Sequence, residues 1–413
     1  MKISNIKLME QFENKTNGRL NIAIFSDCYY PLVGGITLRV YNQAIELSKI
    51  ANVIVVTGNV GKYQDDENLP FAVVRCKGFK VSEYQGNVAC PWADGKFKKY
   101  MKTLTIDVIH LHTYFAMAKS AHYFKKRMGM PLIQISHQRL YPEYLTIVKS
   151  KFIARRLTNY SIKMINKADA LWTVSQNVLD FYRESGITRD IVIDPSGSDR
   201  KYPENAKELI ASVNEKYNLN PNDNVLLVLC RMEAEQKNLL FALDSLKLLK
   251  EKGVDFTAFF VGKGKDLEML KDYAKKQGLD NVIFTGFVSD DDATALYLRS
   301  DLHLFPSLND NFGLTKVEAA SLYTPTVALT VTAVAETIVD CENGYISERD
   351  RLDFCNKIAF ALSDKEKLEE VSKKAQQTMG QTWADLAKIT LENTQKVVDE
   401  YKTLKNTQKA SKN

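Results

Sequence analysis

At 413 residues the chain is long enough for two to three domains, each able to bury a core without disulfide or metal staples. A hydrophobic share of 45% and a charged share of 26% exclude a disordered, collagen-like or membrane-embedded chain. The net charge of +6 is uneven: residues 1–200 hold 28 Lys/Arg against 17 Asp/Glu, a net of +11, whereas residues 201–413 hold 28 against 33, a net of −5, so only the first half should draw an anionic partner.

The first 18 residues mix charge with short apolar runs and make no signal-peptide core, and no apolar run nears the roughly 20 residues that cross a bilayer. Strands are then predicted at Leu20–Phe25, Val53–Thr57, Ala72–Cys76, Val108–Leu111, Leu132–Ile135, Ala170–Val174 and Ile191–Ile193. In the second half they fall at Val225–Cys230, Thr257–Val261, Val282–Thr285, Leu302–Phe305, Thr326–Leu329 and Tyr345–Ile346. Helical patterns such as Leu239–Lys252 and Leu267–Gln277 alternate with them, their apolar residues at i, i+3, i+4 and i+7. Strands that are nearly all apolar, each followed by a helix, imply parallel sheets covered on both faces. The expectation is an α/β protein of two doubly wound domains, with the break in the proline- and turn-rich stretch Pro203–Asn224. The division expected is an N-terminal extension (1–18), a first domain (19–203), a second domain (204–380), a C-terminal helix returning toward the first domain (381–402) and a polar tail (403–413). Ligands of such sheets bind outside the carboxyl ends of the strands, which makes a cleft between the domains the expected site. Six cysteines at 28, 76, 90, 230, 341 and 355 form no CxxC and no zinc-finger spacing, so a reducing cytoplasmic setting and no metal are expected.

The richest stretch is Ser307–Pro325, where a strand runs into the turn SLNDNFG and then a helix from near Leu314. Its start offers unpaired N–H groups suited to a phosphate, and Asp310 and Glu318, eight apart, can accept from two hydroxylated parts of one ligand. The plainer reading has Asp310 capping the helix and Glu318 facing solvent. After the strand NVLLVLC, Arg231 and Lys237 could clamp a diphosphate, or be surface cations among Glu233 and Glu235. Gly262-Lys-Gly264 fails as a dinucleotide fingerprint because Leu267 stands where the third glycine belongs; it reads as a tight strand–helix turn, with Thr285-Gly286-Phe287 a second. Gly34-Gly35 precedes the first helix after a strand, and His112 and His137 end strands, where a cleft protein keeps its chemistry. Lys149–Lys167 carries six basic residues and no acid, with Ile153, Leu157, Tyr160 and Met164 in one helical stripe beside Lys149, Arg156, Lys163 and Lys167. Such a helix either rests on an anionic membrane face or packs its stripe into the core.

Together these stretches resemble the family 4 glycosyltransferases, whose GT-B fold has two Rossmann-like domains facing a central cleft. The resemblance spans roughly residues 20–401. It rests on YYPLVGG, DVIHLH, ADALWTVS, PSGSD, Arg231 with Lys237, the VGKGKD to TGFV stretch, NDNFGLTKVEAASLYTPTVAL, Glu336 with ENGY, and a last helix holding Trp383 and Tyr401. It implies transfer of a sugar from a nucleotide diphosphate donor with retained anomeric configuration, and no metal or other cofactor. By the same resemblance Arg231, Lys237, Gly35, Leu314 and Thr315 serve the donor diphosphate, and Asp310, Asn311, Phe312 and Gly313 the donor sugar. Glu318, Gly286 and Phe287 then serve ribose and base, with His137 and Asp310 at the reacting centre. Three positions depart from the family pattern. Asp310 replaces a Glu, Cys230 replaces the Gly before the diphosphate Arg, whose spacing to Lys237 is one longer than the commonest form, and Ser196 replaces an Asn.

HQRLYPEYL, the basic segment with Lys149, Arg155, Arg156 and Lys163, and NKADALWTVS are similar to transferases that glucosylate diacylglycerol at the cytoplasmic membrane face. The implied partners are a nucleotide sugar (UDP-linked glucose or N-acetylglucosamine first), a lipid or glycan acceptor and an anionic membrane surface, not nucleic acid. The implied location is cytoplasmic, peripheral on the inner face of the plasma membrane. Two other classes stay open at this level. One is a degenerate GT-B protein acting as a binding partner, suggested by Asp310; the other is a nucleotide-sugar epimerase, which the Glu-x7-Glu-like signature disfavours.

Overall fold

The computed structural model describes residues 1–14, 17–32, 34–59, 65–82, 86–330 and 332–410. The chain divides into two compact units, Met1–Ser196 with Trp383–Asn413 and Gly197–Thr382.

Unit 1 contains β1 (Lys2–Ile3), β2 (Asn21–Phe25), β3 (Asn52–Asn59), β4 (Ala72–Ser82), β5 (Gly86–Ala89), β6 (Val108–Leu111), β7 (Leu132–Ser136), β8 (Ala170–Thr173) and β9 (Ile191–Ile193). They form one sheet in the order β1-β4-β3-β2-β6-β7-β8-β9, with β5 against β4. β1 and β5 run antiparallel to β4 and the other pairings are parallel. Every residue of β2, β6 and β7 is buried, as expected of strands covered on both faces. One face packs on a cluster with Met9, Phe12, Phe97 and Phe124; the other packs on Val40, Leu47, Trp172, Ala387 and Val398.

Three boundaries differ from expectation. Residues 2–14 are no extension: β1 pairs with β4, and the helix Ile6–Asn14 buries Met9 and Phe12 to 1% exposure. The last helix runs Trp383–Ala410 within unit 1, through most of the stretch expected as a tail, of which 411–413 lie outside the described residues. The units divide at Ser196–Gly197 rather than near residue 203. That point is anchored within unit 1 by Arg39, only 2% exposed, which pairs with Asp194 and donates to Pro195 O at 2.7 Å and Ser196 Oγ at 2.8 Å. The last helix joins through Thr390 Oγ1, 3.0 Å from Asp194, and the Trp383 ring, 5.7 Å from the guanidinium. Removing Arg39 would strand a buried carboxylate, a loss of about 3–5 kcal/mol.

Unit 2 contains β10 (Val225–Leu229), β11 (Thr257–Val261), β12 (Val282–Gly286), β13 (Leu302–Phe305), β14 (Thr326–Leu329) and β15 (Tyr345–Ser347), all parallel, in the order β12-β11-β10-β13-β14-β15. Each sheet therefore winds one way from its first parallel strand, β10 here and β2 in unit 1, and then reverses, between β10 and β13 here and between β2 and β6 in unit 1. Such reversals leave a crevice at the strands' carboxyl ends. All six cysteines are free, and among the described residues no helix is long and apolar enough to cross a membrane.

Candidate functional site

In unit 2 the loops leaving β10 and β13 meet at the reversal. Lys237 Nζ lies 2.8 and 2.9 Å from the two carboxylate oxygens of Asp310, both groups mostly buried. Asp310 thus does not cap the following helix, Leu314–Ser321. That helix starts at Gly313 with no side-chain cap, leaving first-turn N–H groups at Leu314 and Thr315 for an anion. Gly313 holds φ +83, and a Cβ there would come within 3.0 Å of Val334 Cγ2, so this position takes only glycine without strain. Arg231 is largely exposed, held by Glu233 at 3.0 Å and Gln236 at 3.4 Å. The glycines of the failed fingerprint explain how the Arg231 backbone is seated. A Cβ on Gly262 would lie 1.9 Å from Cys230 O, and one on Gly264 would lie 2.2 Å from Met232 O. The tight turn expected there is thus required by close backbone approach on both sides of Arg231.

Glu318 is no solvated face residue. Tyr297 donates its hydroxyl to Glu318 Oε2 at 3.0 Å, and Arg200 Nε stands 3.6 Å from the same oxygen. Arg200 is itself held by Asp290 at 2.7 Å and Thr294 at 2.5 Å. Burial pushes the Glu318 carboxyl up, with Arg200 pulling the other way, and burial with Glu318 drives the Tyr297 hydroxyl well up. Gly286 adopts φ +71 and accepts the Gly262 N–H at 2.8 Å, while Phe287 is 73% exposed with Lys263 over its ring at 5.7 Å. Asn311 and Phe312 are half-buried in the same loop. Arg200 and Tyr297 carried no signal of their own in the sequence, since their partner lies 118 and 21 positions away. Lys316 was also missed. It is 1% exposed, donates to Val334 O at 3.0 Å and Thr337 Oγ1 at 2.6 Å, and is pushed down to about 8 by burial. Its one warning was helical spacing, which puts it on the face of Ala319 and Ala320.

Unit 1 gathers different groups at its own reversal. His137, after β7, places Nε2 3.0 Å from His112 Nδ1, after β6, with the rings stacked at 5.1 Å. Burial drives both rings well below the ordinary histidine value, His137 adding to the effect on His112. One ring must donate and the other accept, and His112 Nε2 is buried without a partner among the described residues. Asp27, after β2, accepts from Thr113 Oγ1 at 2.7 Å and from the Met117 N–H at 3.2 Å; burial pushes it up to about 6 against those bonds. Gly35 opens the helix Gly35–Ser48 with an extended, uncapped Gly34 before it.

The basic segment is two elements, not one helix. Lys149 ends the helix Leu140–Val148 in the left-handed conformation, and a new helix runs Lys151–Ile165. This second helix buries Ala154, Thr158, Ser161, Ile162 and Ile165. Its other side exposes Phe152 (67%), Ile153, Leu157 and Tyr160 beside Arg155, Arg156 and Lys163. The apolar stripe therefore faces outward. Among the described residues no three His, Cys, Asp or Glu side chains gather as metal ligands would.

Residues 33–201 match the family described as Glycosyltransferase Family 4, and residues 210–378 that described as Glycosyl transferases group 1. Two similar curated proteins are alpha-monoglucosyldiacylglycerol synthases. That of Streptococcus pneumoniae is 23% identical over 75% of this chain and 71% of its own, and that of Acholeplasma laidlawii 24% identical over 79% and 84%. Among solved structures, Anabaena HepE in complex with UDP and glucose superposes with a TM-score of 0.72 at 18% identity, over 91% of this chain and 100% of that one.

Proposed function

Because the chain belongs to the family 4 glycosyltransferases and has their GT-B fold, we propose that it moves a hexose, glucose or N-acetylglucosamine, from a nucleotide diphosphate donor to a membrane-associated acceptor with retained anomeric configuration. The donor favoured is a UDP-sugar, and the acceptor is diacylglycerol or a lipid-linked glycan. The observation that carries this reading is the Lys237–Asp310 pair beside an uncapped helix start at the reversal of the unit 2 sheet.

In transfer, the bond between the anomeric carbon and the diphosphate oxygen breaks, an acceptor hydroxyl oxygen bonds the same face of that carbon and gives its proton to the departing diphosphate, and negative charge grows on that diphosphate as it leaves. Lys237, Arg231 and the N–H groups of Leu314 and Thr315 are the groups suited to stabilise that charge. A bound diphosphate would take Asp310's place on Lys237, freeing the carboxylate, with Asn311 and Phe312 beside it, to accept from a sugar hydroxyl. Glu318, prepared by Tyr297 and Arg200, accepts from the ribose hydroxyls, and Gly286 with Phe287 borders the base. His137, fixed through Nε2 by His112, is assigned to the reacting sugar, and Gly35 to the diphosphate. The chain's own cations carry the charge in this reading, so it takes no metal cofactor.

The acceptor side draws on the two glycolipid synthases among the relatives and on the exposed apolar and basic face of Lys151–Ile165. A helix of that kind holds a protein peripherally on an anionic cytoplasmic leaflet, where cell-envelope glycolipid acceptors lie. The test is a thermal-shift panel of UDP-, GDP- and ADP-sugars, followed by release of nucleotide diphosphate with and without lipid acceptor. A ligand at about 100 times its Kd stabilises by about 2.7 kcal/mol. A shift confined to one nucleotide and release that needs acceptor are expected. No shift with any donor would point instead to a degenerate binding protein, and release without acceptor to donor isomerisation or hydrolysis.

A further inference from the structure

Unit 1 has a second exposed aromatic and basic surface, outside Lys151–Ile165. In the helix Ala116–Phe124, residues Ala116, Met117, Ala118, Ala121 and Phe124 are buried. Phe115, Lys119 and Tyr123, spaced i, i+4 and i+8, line up on the exposed side, Phe115 at 50% and Tyr123 at 42%. Beside them Trp92 is 54% exposed, and a cavity of about 490 Å³ is lined by Trp92, Lys98, Lys119, Ser120, Tyr123 and Phe124. Among the described residues lining it there is no carboxylate.

The charge and the side-chain types agree on one occupant. Trp and Tyr combine an apolar body with a polar edge and settle at the headgroup level of a bilayer. Lysines whose stems lie along aromatic rings place their ammonium groups at the same depth. Lys119 Nζ lies 6.0 Å from the Tyr160 ring centroid, which joins this stripe to the exposed face of Lys151–Ile165. The stripe also begins at Phe115, three residues after His112, so it runs from the strand ends that hold the histidine pair.

We infer that this stripe is a second membrane-contact element, taking the phosphate of an anionic phospholipid headgroup in the cavity lined by Lys98 and Lys119, with Trp92 and Tyr123 seated at the headgroup level. The inference rests on the membrane-associated acceptor proposed above and adds a site to it. A bilayer gripped along both helices would present an acceptor lipid at the strand ends, whereas Lys151–Ile165 alone leaves that approach undirected.

Trp92 supplies a direct readout, because the chain's other two tryptophans, Trp172 and Trp383, are 1% and 4% exposed. The full chain is mixed at low salt with phosphatidylcholine vesicles, with and without about one-third phosphatidylglycerol, carrying brominated acyl chains. Expected are co-sedimentation with the anionic vesicles and quenching of emission that Trp92→Phe lacks. Lys98→Gln with Lys119→Gln should lower partitioning about thirtyfold, the loss of two basic residues at an anionic surface. Changing Lys149, Arg156 and Lys163 to Gln should weaken binding yet leave the quenching per bound molecule intact. Co-sedimentation without Trp92 quenching, or unchanged partitioning of the double variant, overturns the inference and leaves the membrane reading standing. Inorganic phosphate without vesicles shifting Trp92 emission in the unchanged chain, while anionic vesicles leave it unquenched, overturns it in favour of a free anion. No binding of the unchanged protein to anionic vesicles removes the membrane reading and this inference together.

Discussion

The two sheets reverse strand order in the same way, and opposite chemistry collects at the two reversals. Between β2 and β6 the polar groups are buried, with the His112–His137 pair held neutral below its ordinary value and Asp27 pushed up to about 6, within reach of a proton near neutral pH. Between β10 and β13 the groups are paired charges, Lys237 with Asp310 and Arg200 with Glu318. The backbone plan provides the place and the loop side chains decide its use. Desolvated neutral groups handle hydroxyls and protons, while cations already paired with a carboxylate can exchange one anion for another.

The contrast can be broken at several points. The largest effect on activity belongs to the charged reversal: Lys237→Ala should lower turnover about a thousandfold with little change in melting temperature, as for loss of a donor facing developing charge. Activity within tenfold of the unchanged protein would sink the assignment.

Next is acid lability, set by groups held neutral. His110 and His303 are each pushed down to about 3 by burial and His122 to about 4, and His112 and His137 are also lowered. The unfolded chain takes up protons on these residues below about pH 6.5 and the folded chain does not, so stability falls as pH falls. Asp27 works the other way, since its raised value lets the folded chain take a proton first, returning about 1 kcal/mol by about pH 5.5. The net expectation is a loss of about 6 kcal/mol between about pH 7.5 and about pH 5.5, about 1.4 for each of the five histidines less the Asp27 return, read from urea unfolding. Equal stability at both ends would show that these histidines titrate while folded.

Glu318→Gln should weaken donor binding about thirtyfold by calorimetry, the value of a charge-assisted hydrogen bond, and Tyr297→Phe should weaken it less. The smallest of the set is His112→Leu, expected to lower turnover about tenfold while donor affinity holds. Nitrogen NMR of the His137 ring should then show a changed tautomer balance, and His112→Gln, which keeps a hydrogen-bonding group, should restore part of the rate. An unaltered His137 spectrum would leave His112 a packing residue.

How much of this was legible beforehand follows from what a sequence carries. Strands such as Val225–Leu229 and Thr326–Leu329 announce themselves because burial on both faces leaves no room for polar residues. Lys2–Ile3 could not, since a two-residue edge strand has no period to detect, and Met9 and Phe12 are too few to separate a covering helix from a stray segment. Site residue types and loops were readable, but their pairings were not. Lys237 meets Asp310 across 73 positions and His112 meets His137 across 25. The outward stripe of Lys151–Ile165 was readable as a stripe, yet only packing showed that Ala154, Thr158 and Ser161 turn inward instead.

The Lys237–Asp310 pair bears on the end of the catalytic cycle as well as its beginning. If a diphosphate displaces Asp310 from Lys237, the same carboxylate is a tethered competitor once the sugar has left, ready to reclaim the ammonium and expel the spent nucleotide. Turnover limited by departure of product would be helped by such a rival held 2.8 Å from its target. Asp310→Asn, lacking that competitor, should show severalfold stronger inhibition by free nucleoside diphosphate than the unchanged chain; equal inhibition constants would mean that Asp310 has no part in release.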